Sequence, residues 1–166
     1  MIKIKQWLLR FEGIRNKLRK RSISQSIYFS INMSEALVFE MEIEVQKEHL
    51  DEMNHVNNVQ YLQWVQDVAK AHWENRALTA WLKEYAWVAL SHHIEYKKPA
   101  FLGEILLLKT HVHEFNGVKS HRLVRIFRKE TNELLVQAST QWCMIRKDNL
   151  RPVRVPEEIS KPFFND

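Results

Sequence analysis

The sequence predicts an α+β fold in which an antiparallel sheet of about five strands curves around one long central helix. Three observations lead to this prediction. Hydrophobic residues alternate with a period of two from Leu37 to Val45, a helical apolar stripe runs from Tyr61 to Trp73, and period-two segments fill most of the chain between Ala86 and Met144. The order strand, helix, four strands, with few loops, is typical of an antiparallel sheet that buries one face against a helix.

The first strand and the helix each present an apolar face. In the strand, every second residue is apolar: Leu37, Phe39, Met41, Ile43 and Val45. In the helix, the stripe consists of Leu62, Val65, Ala69 and Trp73, widened by Tyr61, Val68 and Ala71. Because so much of the helix surface is apolar, we expect a curved sheet to cover it. The segment from Thr79 to Tyr85 adds a further helical turn or two.

Four strands follow the helix, each bounded by a turn signal. The first has one face formed by Ala86, Val88, Leu90, Ile94 and Tyr96, and it ends at Lys97-Lys98-Pro99. The second runs from Glu104 to Glu114, and Asn116-Gly117 predicts a type I′ hairpin turn, in which both central residues need a positive φ. The third strand runs from Val118 to Arg128. After a turn at Thr131-Asn132, the last strand alternates Leu134, Val136, Ala138, Thr140, Trp142 and Met144 with their neighbours.

The charge is concentrated at the N-terminus. Residues 1–32 contain eight basic residues against Glu12 alone, and removing these from the totals of 25 basic and 20 acidic residues leaves 17 and 19. The rest of the chain is therefore nearly neutral, and the sequence pI of 9.3 does not indicate a nucleic-acid partner. The lone Cys143 excludes a disulfide framework and favours a reducing compartment, and no apolar run is long enough to span a membrane. We expect a soluble, cytoplasmic protein.

Residues 1–35 read as an extension that precedes one domain at 36–166. Apolar residues recur at helical spacing in the extension: Ile4, Trp7, Leu8, Phe11, Ile14 and Leu18. Three interpretations stay open. The segment is a basic amphipathic helix that makes a peripheral contact with an anionic membrane, a targeting peptide, or a disordered extension that arises from a misplaced start with Met33 as the true first residue.

Several classes of site are excluded by composition. The only glycines are Gly13, Gly103 and Gly117, so glycine-rich nucleotide loops and the nucleophile elbow of serine hydrolases are absent. His111 and His113 would share a strand face, but no carboxylate or thiolate partner accompanies them. We therefore expect neither a metal site nor a cofactor.

The stretch DEMNHVNNVQYLQW, Asp51 to Trp64, concentrates the polar chemistry just before the helix. In the simpler interpretation, Asp51, Asn54 and Asn57 satisfy the free amides of a turn and a helix cap. In the functional one, the helix start offers unpaired N–H donors and a positive dipole end where a carbonyl oxygen gains charge, and the acid lies a few residues upstream. Together these groups form an acyl-transfer site.

This stretch resembles the motif of the hotdog-fold acyl thioesterases, the group of 4-hydroxybenzoyl-CoA thioesterase-like and acyl-ACP thioesterase-like proteins. In that group an acid precedes H-V-N-N-x-x-Y, as Asp51 does here, with Tyr61 ten positions later. The stretch IEYKKPAFLGE, Ile94 to Glu104, is similar to the second characteristic segment of the group. The resemblance covers about residues 37–147.

The resemblance implies a fold, an activity and an assembly. The fold is the hotdog, an antiparallel sheet around a long helix, and the activity is hydrolysis of an acyl-CoA or acyl-ACP thioester without a cofactor. It implies Asp51 as nucleophile or general base, and the Asn58 backbone amide as the donor that polarises the carbonyl. His55 and Asn57 shape and hydrate the site. Subunits would pair edge to edge into a homodimer or homotetramer.

Two departures limit this transfer. Plant-type acyl-ACP enzymes read D-x-N-x-H, whereas this chain has Met53 at the asparagine position, with Asn54 one place later. The glutamate that some relatives carry on the following strand is also replaced, with Pro99 standing near that point. Asp51 is therefore the one acid that we expect to act.

The substrate's other groups suggest further candidates. Coenzyme A phosphates favour basic side chains such as Lys97 and Lys98, with Arg125, Arg128, Arg146 and Lys147 as further candidates. Tyr61, Trp64 and Trp87 would line an acyl tunnel, or else belong to the core. A second hypothesis from another class is a domain that binds acyl thioesters without turnover, as a sensor or scaffold.

Overall fold

A computed structural model describes residues 36–165, so the extension predicted for residues 1–35 lies outside the described residues. The helices and strands follow in the order β1 (Phe39–Glu44), α1 (Asn58–Arg76), α2 (Thr79–Glu84), β2 (Tyr85–Tyr96), β3 (Ile105–Asn116), β4 (Lys119–Arg128), β5 (Glu133–Arg146) and α3 (Glu157–Ser160). Within 36–165, none of the helices combines the length and the hydropathy that a bilayer crossing requires.

The five strands form one antiparallel sheet in the order β1-β3-β4-β5-β2. This confirms the predicted α+β class, the strand count and the order of elements. β1 and β2 are the edge strands, so the two outer rows of backbone N–H and C=O groups belong to them.

Helix α1 packs against one face of the sheet through a mainly apolar stripe. Its buried residues are Tyr61, Trp64, Val65, Val68, Ala69 and His72. They share a core with sheet residues that include Leu106, Leu108, Val124, Ile126 and Val136. Leu62, Ala71 and Trp73 of the predicted stripe are only half-buried, because the buried face is rotated toward Trp64 and His72. That the sheet curves around the helix stays a prediction.

The predicted apolar face of β2 is wrong in its first half. The β2–β5 register shifts between Ala89 and Ser91, which leaves Leu90 as an extra residue. A bulge of this kind reverses the side-chain alternation. Val88 and Leu90 are therefore exposed, at 45% and 51%, while Ile94 beyond the bulge packs on the core.

The β3–β4 turn also lies one residue later than predicted. Asn116 pairs with Lys119, so the two turn residues are Gly117 and Val118, and of these only Gly117 has a positive φ, at 62°. Glycine at the first central position with a positive φ is typical of a type II′ turn. The turn predicted at Thr131-Asn132 is present, with Asn132 at a φ of 54°.

Replacing a fully buried sheet residue tests this core. Leu108 is 0% exposed and packs in the cluster beneath α1. We expect Leu108→Ala to lower the free energy of unfolding by about 3 kcal/mol, because methyl groups leave the core and a cavity remains. The matched Leu102→Ala, at a side chain 59% exposed, should change it by no more than about 0.5 kcal/mol in urea titrations. Equal effects at both positions would contradict this core.

Candidate functional site

The polar loop before α1 is a tight turn held by its own backbone. Leu50 and Val56 form an antiparallel bridge. Inside it, the Asp51 amide donates to the His55 carbonyl at 2.8 Å, and the Asn54 amide donates to the Asp51 carbonyl at 3.0 Å. Asn54 has a φ of 59°, in the left-handed region that asparagine tolerates better than most residues. The loop therefore holds Asp51 next to the Leu50–Val56 bridge, just before the helix.

The half-buried Asp51 side chain is anchored within this turn. Its Oδ1 accepts hydrogen bonds from the amides of Met53, at 2.8 Å, and His55, at 3.2 Å. Both bonds end on one oxygen, and they set the direction of the carboxylate. Asp51 therefore has the structural role of the simpler interpretation, in which its carboxylate accepts from the free amides of the turn.

In the first turn of α1, one amide has no hydrogen-bond partner among the residues that the structure describes. The Asn57 side chain accepts from the Val59 amide at 2.8 Å, which is the expected N-cap. The Asn57 carbonyl accepts from the amides of Gln60 and Tyr61. Among bonds between described residues, none is donated by the exposed Asn58 amide. A free N–H at the positive end of a helix dipole is a donor for an oxygen that gains negative charge.

The second characteristic segment, 94–104, packs directly against this loop. The Val56 amide donates to the Ala100 carbonyl at 3.0 Å. The rings of His55 and Phe101 meet edge to face, with centroids 5.1 Å apart. Tyr96 of the same segment contacts the start of α1, because its hydroxyl donates to the Asn58 carbonyl at 3.3 Å. The two stretches that carry the family resemblance are thus brought together in space.

Tyr61 and Trp64 lie in the core beneath the helix start, where they are 2% and 3% exposed. Their rings meet edge to face at 5.5 Å. Burial raises the pKa of Tyr61 to about 12. The Ala100 amide lies close enough to the hydroxyl to offset part of this rise, but the two groups do not form a hydrogen bond. The hydroxyl therefore stays protonated.

The two main candidates for phosphate binding, Lys97 and Lys98, are exposed and already form ion pairs. Lys97 pairs with Glu95 at 2.6 Å, and Lys98 pairs with Glu133 at 3.6 Å. Both follow β2 directly, next to Pro99 and Ala100, and so lie on the segment that contacts the polar loop. Among the other candidates, Arg128 pairs with Glu104 and Glu133, and Arg146 pairs with Glu84.

A cavity of about 440 Å³ lies along the later turns of α1. Its walls come from α1 between Gln63 and Glu74, from β2 through β5, and from the C-terminal segment. Trp87 lines it, as the tunnel hypothesis expects, whereas Asp51, Tyr61 and Trp64 are not among its lining residues. The polar loop and the cavity are separate features of the fold.

The cavity contains a buried cation that the sequence analysis did not single out. Arg122 is 5% exposed, and its Nη1 donates to His72 Nδ1 at 2.9 Å and to Thr110 Oγ1 at 3.0 Å. Burial lowers the pKa of Arg122 to about 9, and burial with the nearby Arg122 lowers that of His72 to about 3. The period-two pattern of β4 could have revealed Arg122, since Ser120, Val124 and Ile126 of the same face are buried.

The two histidines of β3, His111 and His113, lie on either side of Val112 in a strand that changes its register there. The β3–β4 register shifts between Val112 and Glu114, at His113. His111 is 6% exposed, and burial lowers its pKa to about 4. Across the described residues, no group of three or more metal-ligating side chains comes together.

Comparisons with known proteins give a consistent result. Residues 36–163 match the family described as the acyl-ACP thioesterase N-terminal domain. The long-chain acyl-CoA thioesterase FadM of Escherichia coli K12 is 31% identical over 78 residues, which cover 46% of this chain and 59% of FadM. The match therefore spans less than two thirds of that relative's length.

Solved structures agree with the fold. Slr0204, a 1,4-dihydroxy-2-naphthoyl-CoA thioesterase from Synechocystis, superposes with a TM-score of 0.67 at 18% identity, over 76% of this chain and 96% of that one. SAV2348 from Staphylococcus aureus, solved in complex with CoA, superposes with a TM-score of 0.69 at 18% identity, over 76% and 82%. These likenesses confirm the hotdog-type fold that the sequence resemblance implies.

Proposed function

This chain belongs to the acyl-ACP thioesterase family, and from that premise we propose that it hydrolyses an acyl-CoA or acyl-ACP thioester to a free acid and a thiol. The observation that carries the proposal is the Asn58 amide at the start of α1, which donates to no group within residues 36–165 and lies next to the loop that holds Asp51. An oxyanion donor and a carboxylate at one short turn are the two parts that hydrolysis of an activated acyl group needs.

The proposed reaction uses few groups. Water adds to the thioester carbonyl carbon, and Asp51 takes a proton from that water. The negative charge that develops on the carbonyl oxygen is stabilised by the Asn58 amide. The carbon–sulfur bond then breaks, and the thiolate leaves and takes up the proton. With Asp51 as nucleophile, the carboxylate adds to the carbonyl carbon, the carbon–sulfur bond breaks and the thiolate leaves with a proton from solvent. Water then hydrolyses the mixed anhydride to the free acid and restores the Asp51 carboxylate. In both routes Oδ1 stays engaged with the turn, and the second oxygen does the chemistry.

The neighbouring candidates have supporting roles in this proposal. His55 and Asn57 shape the mouth of the site, since the His55 ring packs on Phe101 and Asn57 caps the helix. Lys97 and Lys98 lie on the segment that contacts this loop, where they would meet the phosphates of coenzyme A. Tyr61 and Trp64 form the apolar floor beneath the helix start.

A second candidate function has an observation in its favour. Asp51 bonds to its own turn and does not line the cavity, which suits a domain that holds an acyl thioester without turnover, as a sensor or scaffold. An acyl-CoA chain-length series separates the two functions. The hydrolase releases free thiol, detected with a chromogenic disulfide, at a rate proportional to enzyme concentration. Tight binding with no thiol release across the series would overturn hydrolysis and support the binding domain.

We expect a homodimer or homotetramer that forms through β2. This edge strand exposes Val88 and Leu90 together with unpaired backbone groups, and an exposed apolar edge favours pairing with another chain. In sedimentation, Leu90→Lys should move the protein to monomer, whereas Leu102→Lys should leave the assembly intact. A monomeric wild type would contradict this assembly. The cytoplasmic location and the membrane contact through the extension stay predictions.

A further inference from the structure

The cavity holds a buried guanidinium, that of Arg122, which no carboxylate of the described residues pairs with. Arg122 lines it, and among the described residues its Nη1 donates to two neutral acceptors, His72 and Thr110. No ion pair among residues 36–165 involves Arg122. Removing a guanidinium from water without a counter-charge is costly. A fold that keeps such a group therefore favours an anion beside it.

The walls around Arg122 suit one kind of anion. Ser120 and Trp142 face each other across the β4–β5 pair, two positions along from Arg122, and both line the cavity. The indole N–H of Trp142 is buried and has no hydrogen-bond partner in the part of the chain that the structure describes. The remaining walls are rich in aromatic rings: Trp73, Tyr85, Trp87, Phe115 and Phe163. A cation and a free donor thus lie within a largely apolar chamber.

We propose that this cavity binds a carboxylate attached to an apolar or aromatic body, with Arg122 holding the carboxylate and the aromatic walls holding the body. A guanidinium matches a carboxylate because its planar N–H groups can bond both oxygens. A phosphate would bring up to two negative charges, whereas Arg122 is the one buried cation among the described residues that line the cavity. The lysines of the lining, Lys70 and Lys147, are exposed and are accompanied there by Asp67 and Glu74. The binding step does not depend on the proposed hydrolysis.

Direct binding tests the proposal without requiring turnover. In calorimetric titrations of the full chain, phenylbutyrate should bind at least tenfold more tightly than phenylbutyramide, which has the same shape and no charge. Arg122→Gln should abolish this preference. Equal binding of acid and amide, binding of neither, or a preference that survives in a folded Arg122→Gln variant would each overturn the proposal.

A gentler substitution covers the case in which Arg122→Gln fails to fold. Trp142→Phe removes the indole N–H and keeps an aromatic wall, so it should weaken phenylbutyrate severalfold and leave phenylbutyramide unchanged. Lys129→Gln removes a cation of the half-exposed pair with Glu42, outside the cavity lining. This control should keep the acid-to-amide ratio of the wild type. A changed ratio in the control, with none in Trp142→Phe, would contradict the role of the cavity.

Kinetics then identify the source of the carboxylate. If it is the far end of the acyl group, a thioester ending in a carboxylate should be cleaved with a higher kcat/KM than its methyl-ended counterpart, and Arg122→Gln should remove the difference. If it belongs to a separate acid, phenylbutyrate should alter turnover without competing with the thioester. A protein that binds phenylbutyrate through Arg122 and releases no thiol would refute the hydrolase and leave the carboxylate site standing.

Discussion

Asp51→Asn should lower the rate of thiol release by about 10²- to 10⁴-fold, the usual contribution of a positioned general base. The amide keeps the size of the carboxylate, and its oxygen can still accept from the amides of Met53 and His55, so the turn should survive. We expect KM to change little, because the variant loses an interaction that forms in the transition state. Free-thiol detection with the best acyl-CoA substrate measures both constants.

The neighbouring acid provides a matched control for this loss. Glu52 is exposed on the same loop, and Glu52→Gln removes the same charge one residue away. Its rate should stay within a factor of about two of the wild type, since exposed charges contribute little at this range. If the two variants lost activity equally, the effect would be the local field and not the Asp51 carboxylate. Full activity in Asp51→Asn would remove Asp51 from the reaction.

Acid should destabilise the protein through its buried histidines. Burial lowers the pKa of His72 to about 3 and that of His111 to about 4, whereas a histidine in the unfolded chain has a pKa near its ordinary value of 6.5. Between these values the unfolded state binds more protons, so stability rises with pH and is complete above about 6.5. This contribution to stability is lost as the pH falls through the window from 6.5 toward 4. At pH 5 each histidine should lower the free energy of unfolding by about 2 kcal/mol relative to pH 8.

Urea titrations between pH 5 and pH 8 measure this dependence. His72→Gln should remove about half of this pH dependence and leave the part due to His111, because the glutamine oxygen can accept from Arg122 and does not titrate. His93→Gln is the matched control, because the His93 side chain is 76% exposed. This variant should keep the pH dependence of stability seen in the wild type. An unchanged dependence in His72→Gln would mean that His72 is not buried as described.

Periodicity predicted the sheet because the strands have one buried face. Each of β1, β3, β4 and β5 packs that face on the core, so over most of their length the alternation in the sequence reports the alternation in space. In β2 the bulge at Leu90 breaks this relation, and an unpaired extra residue leaves no mark in the composition. The exposed Val88 and Leu90 then read as core although they lie on the outer face of an edge.

Part of the candidate site could likewise be predicted from the sequence, and part could not. The cap at Asn57 and the turn at Asp51 follow from local chemistry, because short polar side chains satisfy amides two to four residues away. The contact of Val56 with Ala100 joins segments far apart in the chain, and only the family resemblance pointed to both. The cavity could not be predicted, since its shape depends on how residues from α1, the sheet and Phe163 fill space together.

The central claim is that the thioester carbonyl meets the free amide at the first turn of α1. A crystal structure of Asp51→Asn with an uncleaved acyl-CoA tests it most directly. The carbonyl oxygen should lie within about 3 Å of the Asn58 nitrogen, with the residue 51 side chain at the carbonyl carbon. A thioester bound elsewhere, with water or crystal neighbours on the Asn58 amide, would contradict the claim.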